Sequence, residues 1–217
     1  MCVICVKNKG VNAPNDQTIR DMFSANHDGA GYMLWKSTQD YVKISKGYMT
    51  VESLLESLKK EKITKDDVII YHFRWGTQGG THPELTHPYP LVRDYNLMCE
   101  LNVKADCGIC HNGIIRRTSY PNAIYNDTMI FIYDYICKLV DSPKGLQLKK
   151  NQEIIHDLSN SKWASLDRTG KVVMIGEFIN DKNGLWYSNM NWKRYYTEYT
   201  NGFYSRYLSK KLHDGLE

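Results

Sequence analysis

At 217 residues, with 42% hydrophobic and 24% charged side chains, the chain has the composition of a globular protein long enough to bury a core. A net charge of +4, with lysines scattered through both halves, gives no basic stripe and so argues against a nucleic-acid surface. The longest apolar stretch, Met129 to Val140, is broken by Asp134 and Lys138 and falls short of the roughly 18–20 residues of a membrane span. The first apolar run is short with no basic residue before it, so no secretory signal is read. A cytoplasmic protein is expected, with its six cysteines reduced and no membrane association.

In chain order, the β-branched run within Cys2–Val6 predicts a strand, and Asn15–Ala25 predicts a helix with Asn15 or Asp16 as cap and Ile19, Met22 and Phe23 on one face. His27-Asp28-Gly29-Ala30-Gly31 turns the chain into a strand at Tyr32–Trp35, which is expected to pair with Tyr41–Ser45. Thr50 caps a helix over Val51–Lys60, and Val68–Phe73 is strongly β-prone. From Arg74 to Pro90, glycines and prolines exclude regular structure, and a loop of that length inside a compact domain suggests function. Cys107–Cys110 reads as a strand ended by His111-Asn112-Gly113, Asp127–Val140 as one helix and Gln147–Leu158 as another. Lys162–Leu166 and Lys171–Gly176 flank a hairpin turn at Asp167-Arg168-Thr169-Gly170, and a last strand lies around Leu185–Tyr187. The tyrosine-rich stretch from about residue 191 to 217 reads as packing and surface coverage. Strands cluster toward both ends with helices between them, which favours α+β layering over βαβ alternation.

The residue after Met1 is the first chemical signal. Methionine is removed when the next side chain is small, so the mature chain is expected to begin at Cys2. An N-terminal cysteine carries a nucleophile and, in its α-amine with a reference pKa of about 7.7–8.0, a base near neutrality. Three more segments join it: His72-Phe73-Arg74-Trp75-Gly76-Thr77-Gln78-Gly79 with Thr86-His87-Pro88, then His111-Asn112-Gly113-Ile114-Ile115, then Asn126-Asp127-Thr128 at a helix start.

Together with His27–Gly31 and Gly184-Leu185-Trp186-Tyr187-Ser188-Asn189, this set, in this order and over about residues 2–190, resembles the class II glutamine amidotransferase domain. The relevant comparison is the glutaminase half of enzymes such as glucosamine-6-phosphate synthase. The resemblance implies a single N-terminal-nucleophile (Ntn) hydrolase domain over residues 2–217, a four-layer αββα sandwich. It implies cleavage of L-glutamine to glutamate and ammonia through a thioester on Cys2, with no cofactor and no metal. Asn112, through its side-chain amide, and Gly113, through its backbone N–H, would form the oxyanion hole. Arg74 would hold the substrate carboxylate, Asp127 its ammonium, and Trp75 and Thr77 would line the pocket. The chain departs from the pattern at Gln78, where a histidine is usual, and at Leu85, where an asparagine is usual. The stretch after Asn189 is too short for a synthase, so a separate ammonia-accepting partner or a free-standing amidohydrolase is expected. Two other readings stay open: an Ntn hydrolase acting on another amide, and a catalytically silent amidotransferase-fold binding subunit.

Cysteine spacing offers competing patterns. Cys107-Gly108-Ile109-Cys110-His111 matches a haem attachment sequence, and Cys2-x-x-Cys5 with Cys107-x-x-Cys110 suggests two halves of a zinc site. Haem attachment requires export, and the two pairs lie much farther apart than zinc pairs usually do. Cys5, Cys107 and Cys110 read instead as small apolar strand residues, and His72 and His87 as structural hydrogen-bonding groups.

Overall fold

The structure, a computed structural model, describes residues 1–76, 80–116 and 125–193. It is a mixed α+β protein with two antiparallel sheets. Strands β1 (Val3–Lys7), β2 (Ala30–Trp35), β3 (Val42–Tyr48), β4 (Val68–Phe73), β6 (Asn102–Ala105), β10 (Ile179–Asn180) and β11 (Trp186–Tyr187) form the larger sheet, in the order β10-β11-β1-β4-β2-β3-β6. The smaller sheet runs β5-β7-β8-β9, from β5 (Tyr89–Pro90), β7 (Cys107–Asn112), β8 (Lys162–Asp167) and β9 (Val172–Ile175). Helices α1 (Asp16–Ala25), α2 (Val51–Glu61), α3 (Tyr95–Cys99), α4 (Asp127–Phe131), α5 (Cys137–Leu139) and α6 (Lys149–Ser159) complete the described elements, apart from short 3₁₀ and π segments.

Strand alternation explains how these pieces pack. Successive strand side chains point to opposite faces, and β1 is buried along its whole length. Val3 and Cys5 face Ile19, Met22 and Phe23 of α1 and Leu54, Leu55 and Leu58 of α2. Ile4 and Val6 face the other way, joining Met33, Ile44 and Ile70 of the same sheet and Cys110, Ala164 and Leu166 of the smaller one. The outer face of the smaller sheet, with Ile109, Trp163 and Ile175, packs on Met129, Phe131, Ile136 and Ile155. A strand covered on both faces must be apolar at every position, which is why its sequence reads as a continuous run.

Helix caps follow the sequence closely. The Asn15 side chain accepts from Thr18 N–H and that of Thr50 from Ser53 N–H. The segment expected as one helix over Asp127–Val140 is divided: α4 passes into a π-helical stretch, Ile132–Ile136, before α5. The wider turn keeps Ile132 and Ile136 in the core while Tyr133 stacks on Tyr95 at 4.5 Å. α3 and β6 were not anticipated. β6 is a four-residue edge strand with only Val103 buried, so it lacks an alternating run long enough to notice. Lys7 is also unexpected inside: its fully buried ammonium donates to the carbonyl oxygens of Thr64 (2.6 Å), Lys65 (2.9 Å) and Asp67. That set of acceptors compensates for lost hydration.

The long segment after β4 is not wholly irregular. It contains a 3₁₀ turn at Pro83–Leu85 and then β5, whose Tyr89 pairs with Ile109 of β7. Pro90 sits in an edge strand, where a missing N–H is tolerated. The segment lies tightly over β2 because Gly31 has no side chain. A Cβ there would stand 2.3 Å from the His87 carbonyl oxygen.

Candidate active site

The strand register creates the site. β1 and β4 pair antiparallel with Val3 opposite Phe73, so Cys2 lies beside the chain leaving β4. There the Trp75 N–H donates to Cys2 Sγ at 3.3 Å, and the thiol lies 3.6 Å from the Trp75 carbonyl oxygen. On its other edge β1 pairs with β11, Cys5 opposite Tyr187, which carries Ser188 and Asn189 up to the first residues. Asn189 Nδ2 donates to the Cys2 carbonyl at 2.8 Å, and Ser188 Oγ accepts the Ile4 N–H at 2.9 Å. The nucleophile candidate is thus fixed from both flanking strands. Burial pushes the Cys2 thiol up, opposed by the Trp75 N–H, the N-terminal charge and Arg74, each of which favours the thiolate.

β7 brings up the second component. Its last residue, Asn112, is buried, and Asn112 Nδ2 donates to Ser188 Oγ at 2.9 Å, while its Oδ1 has no protein partner. Ser188 therefore holds one edge of the Asn112 amide and the start of β1 with the same oxygen. Lys162, opposite Asn112 in the sheet, extends this link by donating to the Ser188 carbonyl at 2.7 Å. Gly113 follows in a close-packed spot, where a Cβ would come within 2.1 Å of Ser161 Oγ and 3.1 Å of His111 Nε2. Only glycine leaves that backbone in place.

Arg74 and Asp127 provide the charges. Arg74 is buried, and its Nη1 donates to the Gly80 carbonyl at 2.8 Å. Asp28, from the turn before β2, accepts the Gly76 N–H at 2.7 Å and holds the chain just after Arg74 and Trp75. Asn126, not Asp127, is the cap of α4: its side chain accepts the Met129 N–H at 2.9 Å. That frees Asp127 to accept from Ile115 N–H (2.9 Å) and Thr128 N–H (2.8 Å). Burial raises its carboxyl pKa, partly countered by those two N–H groups and by Arg74.

Cys2, Arg74, Trp75, Gly113 and Asp127, widely separated in sequence, line one cleft, with His87 and His111 as further walls. Asn112, between the lining residues His111 and Gly113, does not itself line the cleft; its amide is held on Ser188. Thr77 and Gln78 fall outside the described residues. Leu85 does not face the cleft: its side chain is in the core, and its carbonyl accepts from Tyr89 Oη and Asn126 Nδ2. Among the described residues the cleft leaves about 30 Å³, room for about two waters.

Three buried histidines lie beneath. His72 Nε2 donates to the His111 carbonyl at 2.9 Å, with His87 Nδ1 at 2.8 Å from the same nitrogen, and His111 Nδ1 meets Thr128 Oγ1 at 3.0 Å. Burial lowers all three, His72 and His111 to about 3, so the cluster is neutral at pH 7. A neutral, enclosed imidazole cluster supports the segment from His87 to Tyr89 and the end of β7.

The cysteine patterns separate in space. Cys107 faces the helices beside the smaller sheet and Cys110 faces the other sheet, because three residues along a strand reverse the direction of the side chain. Burial pushes both thiols, and that of Cys5, well up. Among the described residues, no group of three or more His, Cys, Asp or Glu side chains is placed to hold a metal ion, and no helix is long and apolar enough to cross a membrane. The interactions that sequence reading missed are those of Ser188, Asn189 and Lys162, and only the Ser188-Asn189 pair in the last shared motif hinted at them. No model of a known protein family matches the chain, and no curated protein does.

Proposed function

We propose that the chain is a glutamine amidohydrolase of the class II amidotransferase type, built as a four-layer αββα Ntn sandwich. The observation that carries the reading is the convergence of a thiol at the start of the chain, a buried guanidinium and a half-buried carboxylate on one cleft beside Gly113. A free α-amino acid with a side-chain amide presents matching groups: a carboxylate for the planar fork of Arg74 and an ammonium for Asp127. The layering is supported by the three apolar clusters, one on each outer sheet face and one between the sheets.

In this mechanism Met1 is removed and the α-amine of Cys2 takes the thiol proton. Sγ attacks the amide carbon, and the oxyanion is met by the Gly113 N–H and the second N–H of the Asn112 amide, the first being held by Ser188. The C–N bond breaks as the α-amine returns the proton to the leaving nitrogen, and water then hydrolyses the thioester to glutamate. Substrate entry widens the cleft by side-chain rearrangement, which is common on binding. The same reading sets the reaction in the reducing cytosol, where Cys2 stays a thiol.

The test is ammonia release from a small amide panel, with glutamine first, using protein whose N-terminus has been read by mass spectrometry. Glutamine turnover by chains beginning at Cys2, and none by chains retaining Met1, is the expected result. Turnover that is indifferent to Met1 removes the α-amine from the mechanism.

A further inference from the structure

A second cavity shares a wall with the cleft. It is a groove of about 550 Å³ lined by Met1, Gly113, Ile114, Asp157, Leu158 and Asn160 among others, and Gly113 borders both spaces. None of the charge-bearing clamp residues of the cleft, Arg74 or Asp127, contributes to the groove.

Its position has chemical meaning, given the amidohydrolase reading on which this inference rests. The leaving nitrogen receives its proton from the α-amine of Cys2. Here that nitrogen is joined to Met1, and Met1 lines the groove. The proton donor to the leaving group therefore stands at the groove's edge, while the groups that recognise the amino-acid end stand in the cleft. Loss of Met1 removes one wall of the groove and leaves the Cys2 α-amine where Met1 was joined. Ammonia needs no more room than a water, yet this groove is in the size range of sites that hold whole organic ligands. Its lining is mixed: Met1, Ile114 and Leu158 are apolar, Ile114 being 48% exposed, while Ser159 and Asn160 are polar and Arg116 and Asp157 carry opposite charges. The apolar part of that lining offers packing surface to a carbon-bearing amine that ammonia would not use.

We infer that the groove receives the amine half of an N-substituted γ-glutamyl amide, so that the substrate class extends from glutamine to glutamyl amides of primary amines. The step balances without a further reactant. Sγ–C forms and C–N breaks, the thiol proton passes through the Cys2 amine to the departing primary amine, and one water converts the thioester to glutamate and restores the thiol.

The experiment measures glutamate release, the product common to both substrates, from L-glutamine and from L-γ-glutamyl-benzylamide. Benzylamine is about as basic as ammonia, so leaving-group ability does not favour either substrate. The inference expects kcat/KM for the benzylamide to be at least about tenfold higher than for glutamine. Asp157→Trp tests the groove directly: Asp157 lies on the last turn of α6 with its side chain 82% exposed, so a larger side chain narrows the groove without disturbing the core. It should lower benzylamide turnover about tenfold or more and leave glutamine within about twofold. Glutamine cleaved with a benzylamide kcat/KM less than about tenfold higher overturns the inference alone, as does an equal effect of Asp157→Trp on both. Neither amide cleaved overturns the amidohydrolase reading and this inference with it.

Discussion

Replacing Ser188 with alanine probes the junction between the proposed nucleophile strand and the proposed oxyanion hole. Ser188 is fully buried, and its oxygen takes two donors, Ile4 N–H at 2.9 Å and Asn112 Nδ2 at 2.9 Å. Ser188→Ala strands both, and an unsatisfied buried donor costs about 1–3 kcal/mol, so the variant should lose about 2–6 kcal/mol of stability. That is a large share of a typical total of about 5–15 kcal/mol, so kinetics must be expressed per folded molecule at low temperature. The kinetic effect has a ceiling. At worst the Asn112 amide turns away and one oxyanion donor is lost, which costs about 10²–10³ in kcat. KM should barely change, because Arg74 and Asp127 are untouched. Ser188→Thr restores the hydroxyl and should recover most of kcat. In an Asn112→Ala background, Ser188→Ala should cost no further kcat, since its effect runs through that amide. A Ser188→Ala enzyme with kcat within about twofold of the parent refutes the positioning argument, and so do effects that simply multiply in the double variant.

Other expectations follow from the same geometry. Arg74→Lys should raise KM for glutamine more than tenfold with a smaller change in kcat, because an ammonium cannot reproduce a bidentate fork; initial-rate kinetics decide this, and an unchanged KM removes Arg74 from the substrate carboxylate. Asp127→Asn should also raise KM and lose some stability, because an amide presents only one oxygen to the Ile115 and Thr128 N–H groups; parent-like glutamine binding by calorimetry would count against the clamp. Acid should destabilise the fold through the buried histidines. His72 and His111 have folded pKa values of about 3 against the ordinary 6.5, so their contribution is fully present above pH 6.5 and is lost as pH falls toward 3. Between pH 7 and 5.5 the pair should cost about 2.5 kcal/mol, a fall in Tm of roughly 5–10 °C by calorimetry, and a flat profile over that range would contradict the neutral cluster.

How much of this was legible in the sequence depended on whether a feature is local. Cys2, Arg74-Trp75 and Asn112-Gly113 each sit at the end of a strand with a strong β signal, so motif and element could be read together. The caps Asn15 and Thr50 were legible for the same reason. Features made by packing were not. The Ser188–Asn112 hydrogen bond joins residues from different sheets, and the burial of Lys7 depends on three carbonyl oxygens nearly sixty residues away. The π-helical stretch at Ile132–Ile136 has no proline or glycine to announce it. Leu85, where the chain departs from the resembled pattern, proves to be a core residue.

The central claim is that Cys2 is the nucleophile, with its own amine as base. Treating the purified protein with a glutamine-like diazoketone and mapping the adduct by peptide mass spectrometry tests it most directly. The account predicts stoichiometric labelling of Cys2 in chains that have lost Met1, with glutamine protecting against it and ammonia release abolished in proportion. Labelling of Cys99 or Cys137, the other partly exposed thiols, with Cys2 unmodified would contradict it.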